Sequence, residues 1–263
     1  MLKIILLPLC ILFGINCAAA LPKANFGTIE RLSNFQSQYV PARHIDIWFP
    51  QGYNQKTKYA VLYMHDGQML FDAKTTWNKQ EWRVDEVGQA LINQDKVQPF
   101  IVVGVHNGDL NRHAEYFPER PFHGLTPEQQ QLQYQQMRSE NVKLFSKPIY
   151  SDRYLKFLVT ELKPYIDSHF SVHTDREHTF VMGSSMGGLI SMYAINEYPE
   201  VFGGAACLST HWPGNFMTKD NPIPAKFFAY LQQHLPKPAA HKFYFDYGDQ
   251  TLDALYPPLQ KQV

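Results

Sequence analysis

Two short apolar runs constrain this chain more than any other feature. Tyr59-Ala-Val-Leu-Tyr-Met64 and Phe100-Ile-Val-Val-Gly-Val105 contain no polar side chain apart from the tyrosine hydroxyls. A strand with one face in water alternates apolar and polar residues, as Ala42-Arg-His-Ile-Asp-Ile-Trp-Phe49 does. A continuous run suits a strand covered on both faces, hence a parallel sheet between helical layers. Further short strands are expected at His178–Met182, Gly204–Leu208 and Lys242–Tyr247. Between them lie helical patterns. Trp82, Val84, Val87, Ala90 and Leu91 recur at helical spacing. Residues 154–170 are amphipathic, with Pro164 placed to kink or divide the helix, and 187–198 and 224–235 read as helices. Strands alternating with helices form right-handed βαβ units in a mostly parallel, doubly wound α/β sheet.

Composition removes several function classes. Basic and acidic side chains balance at 24 each, so the chain has no electrostatic footprint for nucleic acid or an anionic membrane. Aromatic residues make up 14% of the chain, which supplies a core and excludes low-complexity disorder. The first residues, Met1–Ala20, read as a signal peptide. Lys3 gives the positive start, Ile4 to Ile15 an apolar core too short to span a bilayer, and Ala18-Ala-Ala20 a cleavage site. The protein is therefore expected in the periplasm or outside the cell, with no stable membrane insertion. Cleavage removes Cys10 and Cys17 and leaves Cys207, which cannot form an internal disulfide and reads as a buried thiol. The remaining 21–263 reads as one domain, with 106–150 as an insertion or cap in which the Gln-rich 128–136 forms a solvated surface helix.

Gly183-Ser-Ser-Met-Gly187 carries the chemistry. It follows an expected strand and opens an expected helix, the setting of a sharp turn that holds Ser185 exposed at the strand's carboxyl end. The N–H of Met186, at the helix start, is expected to stabilise an oxyanion. His65-Asp-Gly-Gln68 ends a neighbouring strand and is placed to give a second donor, from Gln68 or its immediate neighbour; the other reading is a tight turn with a structural Gly67. A triad also needs an acid to orient its histidine. Asp249 and Asp253 both follow the last strand, and Asp253 is preferred, although it also suits a helix cap; Asp246 falls within the strand. No metal-ligand motif is evident, since the histidines are scattered and there is no paired-cysteine or H-E-x-x-H pattern; no cofactor is expected.

These motifs, with Arg112-x-x-Glu115-Tyr-Phe-Pro118, Ser209-Thr-His-Trp-Pro213 and Asp246-Tyr-Gly-Asp-Gln-Thr-Leu-Asp253, resemble the Esterase family of the α/β-hydrolase superfamily, over residues 40–263. Its relatives include feruloyl, acetyl-xylan and siderophore esterases and S-formylglutathione hydrolases. The resemblance implies an exported serine carboxylic-ester hydrolase with Ser185 as nucleophile, an acid after the seventh strand, and a small-molecule or glycan ester as substrate. Arg112, Glu115, His211 and Trp212 are expected to line the substrate pocket. The family's histidine follows the acid on a loop after an eighth strand. Here no histidine follows His241, so the chain reads as truncated, without its last strand, last helix and catalytic histidine. Of His65, His106, His123 and His211 as substitutes, His211 is the best placed. A serine without its base is a poor nucleophile, and loss of the triad histidine costs on the order of 10⁶ in kcat. The alternative is a non-catalytic ligand-binding homologue or inactive fragment. The signal-peptide reading predicts that the exported protein begins at Leu21, as intact-mass measurement of secreted material would report; a mass retaining residues 1–20 would refute it.

Overall fold

The computed structural model describes residues 20–217, 219–237 and 240–263. The segment read as a signal peptide lies outside them, but for Ala20. In chain order the elements are β1 (Thr28–Phe35), β2 (Arg43–Phe49), β3 (Ala60–His65), α1 (Val84–Asn93), β4 (Phe100–Val105), α2 (Arg112–Tyr116), α3 (Glu119–His123) and α4 (Pro127–Gln135). They continue with β5 (Met137–Ser139), β6 (Val142–Lys143), α5 (Ser151–Phe157), α6 (Lys163–His169), β7 (Thr179–Ser184), α7 (Met186–Glu197), β8 (Gly204–Leu208), α8 (Ile223–His234), β9 (Lys242–Asp246) and α9 (Pro257–Gln260).

The central sheet has seven strands in the order β1-β2-β4-β3-β7-β8-β9. The two apolar runs pair in parallel at its centre, Val61 beside Ile101 and Tyr63 beside Val103. β7, β8 and β9 extend the parallel part on the other side of β3. β1 and β2 run antiparallel at the far edge. β1 was not evident in the sequence: an edge strand is only half-buried and its pattern is weak. The chain moves outward from β3 to β4 and then crosses back to β7. The carboxyl ends of β3 and β7 therefore meet at a topological switch point, where open α/β sheets form their crevices.

The helix expected at 154–170 divides as its proline requires. α5 and α6 are joined by a π turn over Leu158–Leu162, ending just before Pro164. Proline has no N–H to bond the carbonyl one turn back, and a wider turn absorbs the mismatch. Residues 106–150 are well structured. The Gln-rich stretch is α4, opened by a capping box in which Thr126 and Gln129 exchange side-chain and backbone bonds, and most of it faces solvent.

The larger core cluster packs α2, α5, α7 and α8 against one face of the sheet. The other face is covered by α1 over Trp48, Met64, Leu70, Phe71 and Val102. Beyond α1 this second face is open. Leu62, Phe100, Phe180, Ala206 and Tyr244 line a trough of about 470 Å³, and Tyr244 is 57% exposed. Cys207 faces the covered side and is buried, and burial pushes its thiol well above the usual range.

A buried ion pair ties the 106–150 segment to the sheet. Arg43 Nη1 and Nη2, from β2, donate to Glu115 Oε2 and Oε1 at 3.1 and 2.6 Å. Glu115 also accepts from the Tyr150 hydroxyl at 2.8 Å and the Gly108 N–H at 3.0 Å, and both charged side chains are buried. Such a pair contributes little net stability, but removing one partner strands the other charge. Glu115→Ala is expected to lower the unfolding free energy by about 3–5 kcal/mol, read by urea denaturation; a loss below about 1 kcal/mol would contradict this account.

Candidate active site

Ser185 sits where the chain turns from β7 into α7. Its φ of 61° and ψ of −117° lie in a region that favours glycine, so the turn is strained at this residue. Its neighbours are small by necessity. A Cβ on Gly183 would come within 2.6 Å of the Gly187 carbonyl oxygen, because the incoming strand and outgoing helix nearly touch. The turn is stitched to the adjacent strands: Ser185 N–H donates to Leu208 O at 2.9 Å, and Ser209 N–H donates to Asp246 O at 3.0 Å. Met186 heads α7. A helix leaves its first N–H groups without intrahelical partners, so this end favours negative charge.

The loop after β3 packs over the elbow. Asp66 has φ 60°, and Gly67 lies so close to β4 that a Cβ there would meet the Gly104 backbone at 2.4 Å. Asp66 was not singled out by the sequence, yet it organises the site. Arg112 Nε and Nη2 donate to its two oxygens at 2.6 and 2.7 Å, and Asn107 Nδ2 donates to Oδ1 at 2.7 Å. Arg112 also donates to the Ser184 carbonyl at 3.4 Å and lies over the Tyr116 ring. The Arg112 guanidinium beside it holds the buried Asp66 carboxyl below the usual range, against the effect of burial.

A cavity of about 590 Å³ opens beside Ser185, lined among others by Gln68, Trp77, Trp82, Leu110 and Arg112. Gln68 Oε1 accepts the Asn107 N–H at 3.2 Å, which fixes the side chain. Trp77 is 85% exposed at the rim. Of the expected site residues, Ser185, Gln68 and Arg112 share this space, with Met186 next to Ser185. Glu115 does not join them: it is spent on Arg43, while Arg112 takes Asp66 instead of Glu115 or Asp109. Trp212 does not line the cavity either. It is buried against Phe228 and Phe245, and its indole N–H donates to Gln260 Oε1 at 2.8 Å.

The expected acids and bases are held as follows. Asp253 Oδ2 accepts from Ser209 Oγ at 2.7 Å and from the Gly248 N–H at 2.8 Å. Asp249 is exposed and accepts from the Gln250 side chain. His65 is fully buried, with Nδ1 2.8 Å from the Tyr154 hydroxyl. His106 bonds Asp46 at 2.8 Å, and His123 lies 3.6 Å from Glu119. His211 is tied to Ser185 through the backbone, its N–H donating to the Ser185 carbonyl at 3.3 Å. Its ring Nδ1 is 2.8 Å from the Tyr256 hydroxyl. Tyr256 carried no sequence signal. Among the described residues no imidazole hydrogen-bonds Ser185 directly. Not every histidine is scattered: His173 and His178 converge with Asp175 at the amino end of β7.

The model of the Esterase family matches residues 41–227. An uncharacterized protein, YbbA, of Bacillus subtilis is 25% identical over 175 residues, 66% of this chain and 59% of its own length. An endo-1,4-beta-xylanase/feruloyl esterase of Xylanibacter ruminicola is 25% identical over 190 residues, 70% of this chain and 22% of its own. This chain thus spans less than two thirds of both relatives. The crystal structure of the enterobactin esterase FES from Shigella flexneri superposes with a TM-score of 0.62 at 15% identity, covering 92% of this chain and 52% of that one, which is a likeness of fold.

Burial holds three imidazoles neutral. It lowers His65 and His113 to about 3 and His211 to about 4. In the unfolded chain each protonates near pH 6.5. Between those values the unfolded state binds more protons, so stability is complete above about pH 6.5 and falls as pH drops towards 4. Urea midpoints measured from pH 7 to pH 4 should decline steadily, and less steeply in His113→Gln; a flat profile would show that these rings are not buried neutral.

Proposed function

The chain belongs to the Esterase family, and from that premise we propose that it acts on carboxylic esters through Ser185. The observation that carries this reading is the strained turn, which spends stability to hold one serine at the mouth of a cavity. Ser185 Oγ loses its proton and attacks the ester carbonyl, and the Met186 N–H and the Gln68 loop receive the oxyanion. The ester C–O bond breaks as the alcohol takes up that proton and leaves, and water then hydrolyses the acyl-serine to the free acid and serine. The serine proton is taken up through the Tyr256 hydroxyl, whose partner is His211 Nδ1 at 2.8 Å. Burial makes His211 a weak base, so this chain by itself is a slow hydrolase.

Trp77, Trp82 and Leu110 offer apolar surface to the acyl part, which supports an aromatic acyl group of the kind named in the feruloyl esterase relative. Arg112 positions the elbow through Asp66. Asp253 steadies the Ser209 loop by accepting from the Ser209 hydroxyl. We further propose export, read from residues 1–20; among the described residues no helix is long and apolar enough to cross a membrane. The burial of His211, which leaves its ring a weak base bonded to Tyr256, favours a second reading, in which the serine is not activated and the cavity only binds its ligand.

A fluorophosphonate probe and hydrolysis of methyl ferulate separate the two. The esterase reading predicts covalent labelling and slow turnover, both reduced to background in Ser185→Ala. It also predicts that Trp77→Ala raises KM for methyl ferulate about tenfold while p-nitrophenyl acetate is unaffected. Neither labelling nor turnover in a folded protein would leave the binding reading.

A further inference from the structure

We propose that His173, Asp175 and His178 form a divalent transition-metal site at the end of the sheet opposite Ser185, with Zn²⁺ the ion their chemistry suits. In sequence the spacing H-x-D-x-x-H matches no familiar motif. The fold brings the three donors together: one ligand atom from each lies within 4.8 Å of the others. His178 Nδ1 is 2.6 Å from Asp175 Oδ1, and His173 Nδ1 is 4.0 Å from Asp175 Oδ2. The two rings stack with centroids 4.0 Å apart and planes 16° apart, so a common ion requires at least one ring to turn its Nδ1 lone pair inward.

Four-coordinate Zn²⁺ binds imidazole and carboxylate at about 2.0–2.2 Å, which sets donors about 3.3–3.5 Å apart. The two separations, 2.6 and 4.0 Å, bracket that spacing. Two imidazoles and one carboxylate suit Zn²⁺ over the harder Ca²⁺ or Mg²⁺. Each side chain is partly exposed, so an ion has access and water can fill the fourth position. Binding through Nδ1 requires each imidazole to carry its proton on Nε2.

The backbone of the loop is fixed before any ion arrives. His173 N–H donates to Tyr59 O at 2.9 Å, beside a bridge between Val172 and Tyr59. Lys163 Nζ donates to Thr174 O at 3.1 Å, and Thr179 Oγ1 to Asp175 O at 2.8 Å. Arg176, the charged neighbour within the loop, is paired with Glu177 at 2.7 Å. β7 then runs from this loop to the elbow, a length of about 20 Å. The site therefore binds metal without touching the ester chemistry.

The test uses the untagged full chain and ZnCl₂ in isothermal titration calorimetry, after chelator treatment. The expected result is one saturable site per chain, weakened at least tenfold by His173→Gln or His178→Gln and abolished in the double variant. His123→Gln, which alters an exposed histidine elsewhere, should bind as the parent does. Ester turnover or probe labelling should be the same in all variants, so failure of the esterase reading leaves this result unaffected. No saturable binding below about 100 μM, or equal binding by parent and double variant, would overturn the proposal. If the double variant unfolds, Zn²⁺ protection of His173 and His178 from diethylpyrocarbonate in the parent decides the question: protection supports the site and its absence refutes it.

Discussion

The bidentate pair between Arg112 and Asp66 is the interaction on which the site depends. Asp66 ends β3, Arg112 opens α2, and the guanidinium reaches on to the carbonyl of Ser184 at the end of β7. Three segments that diverge from the sheet are thereby clamped at one point. The carboxylate is almost wholly desolvated, and only a planar cation with two parallel donors satisfies it there. Asn107 adds a third donor from the loop after β4. Without the clamp the β3 loop loses its ionic tie to the elbow and keeps its packing on β4 and the bond from Asn107 to Gln68.

A second buried pair does comparable work one layer away. Arg43 and Glu115 join β2 to α2, and α2 carries both Glu115 and Arg112. The short helix is thus pinned on two sides by opposite charges. It adds rigidity to a segment whose sequence looks like a long irregular insertion. The serine end of the site is held differently, by backbone bonds across β7, β8 and β9 and by the His211 N–H on the Ser185 carbonyl.

Most of the sheet could be read from the residues, since buried parallel strands leave continuous apolar runs. β3, β4, β7, β8 and β9 fall within two residues of their expected places. β1 was hidden because an edge strand need not be apolar. The elbow was legible because its glycines answer a steric demand that is local. Partner choice was not local. Arg112 and Glu115 lie one helical turn apart and could have paired, yet each takes a partner more than forty residues away. Asp66 resembled an ordinary turn residue, and Tyr256 a stray aromatic before two prolines. Their roles follow from burial and from what the folded chain sets opposite them.

The φ of 61° at Ser185 places two selective pressures in opposition at one position. A non-glycine residue held in that region costs about 1–3 kcal/mol, and glycine there would recover most of it. A lineage that needed only a stable scaffold would gain by that single exchange. Keeping a serine is a standing concession of stability, maintained only while its hydroxyl is worth more to the organism than the energy it withholds.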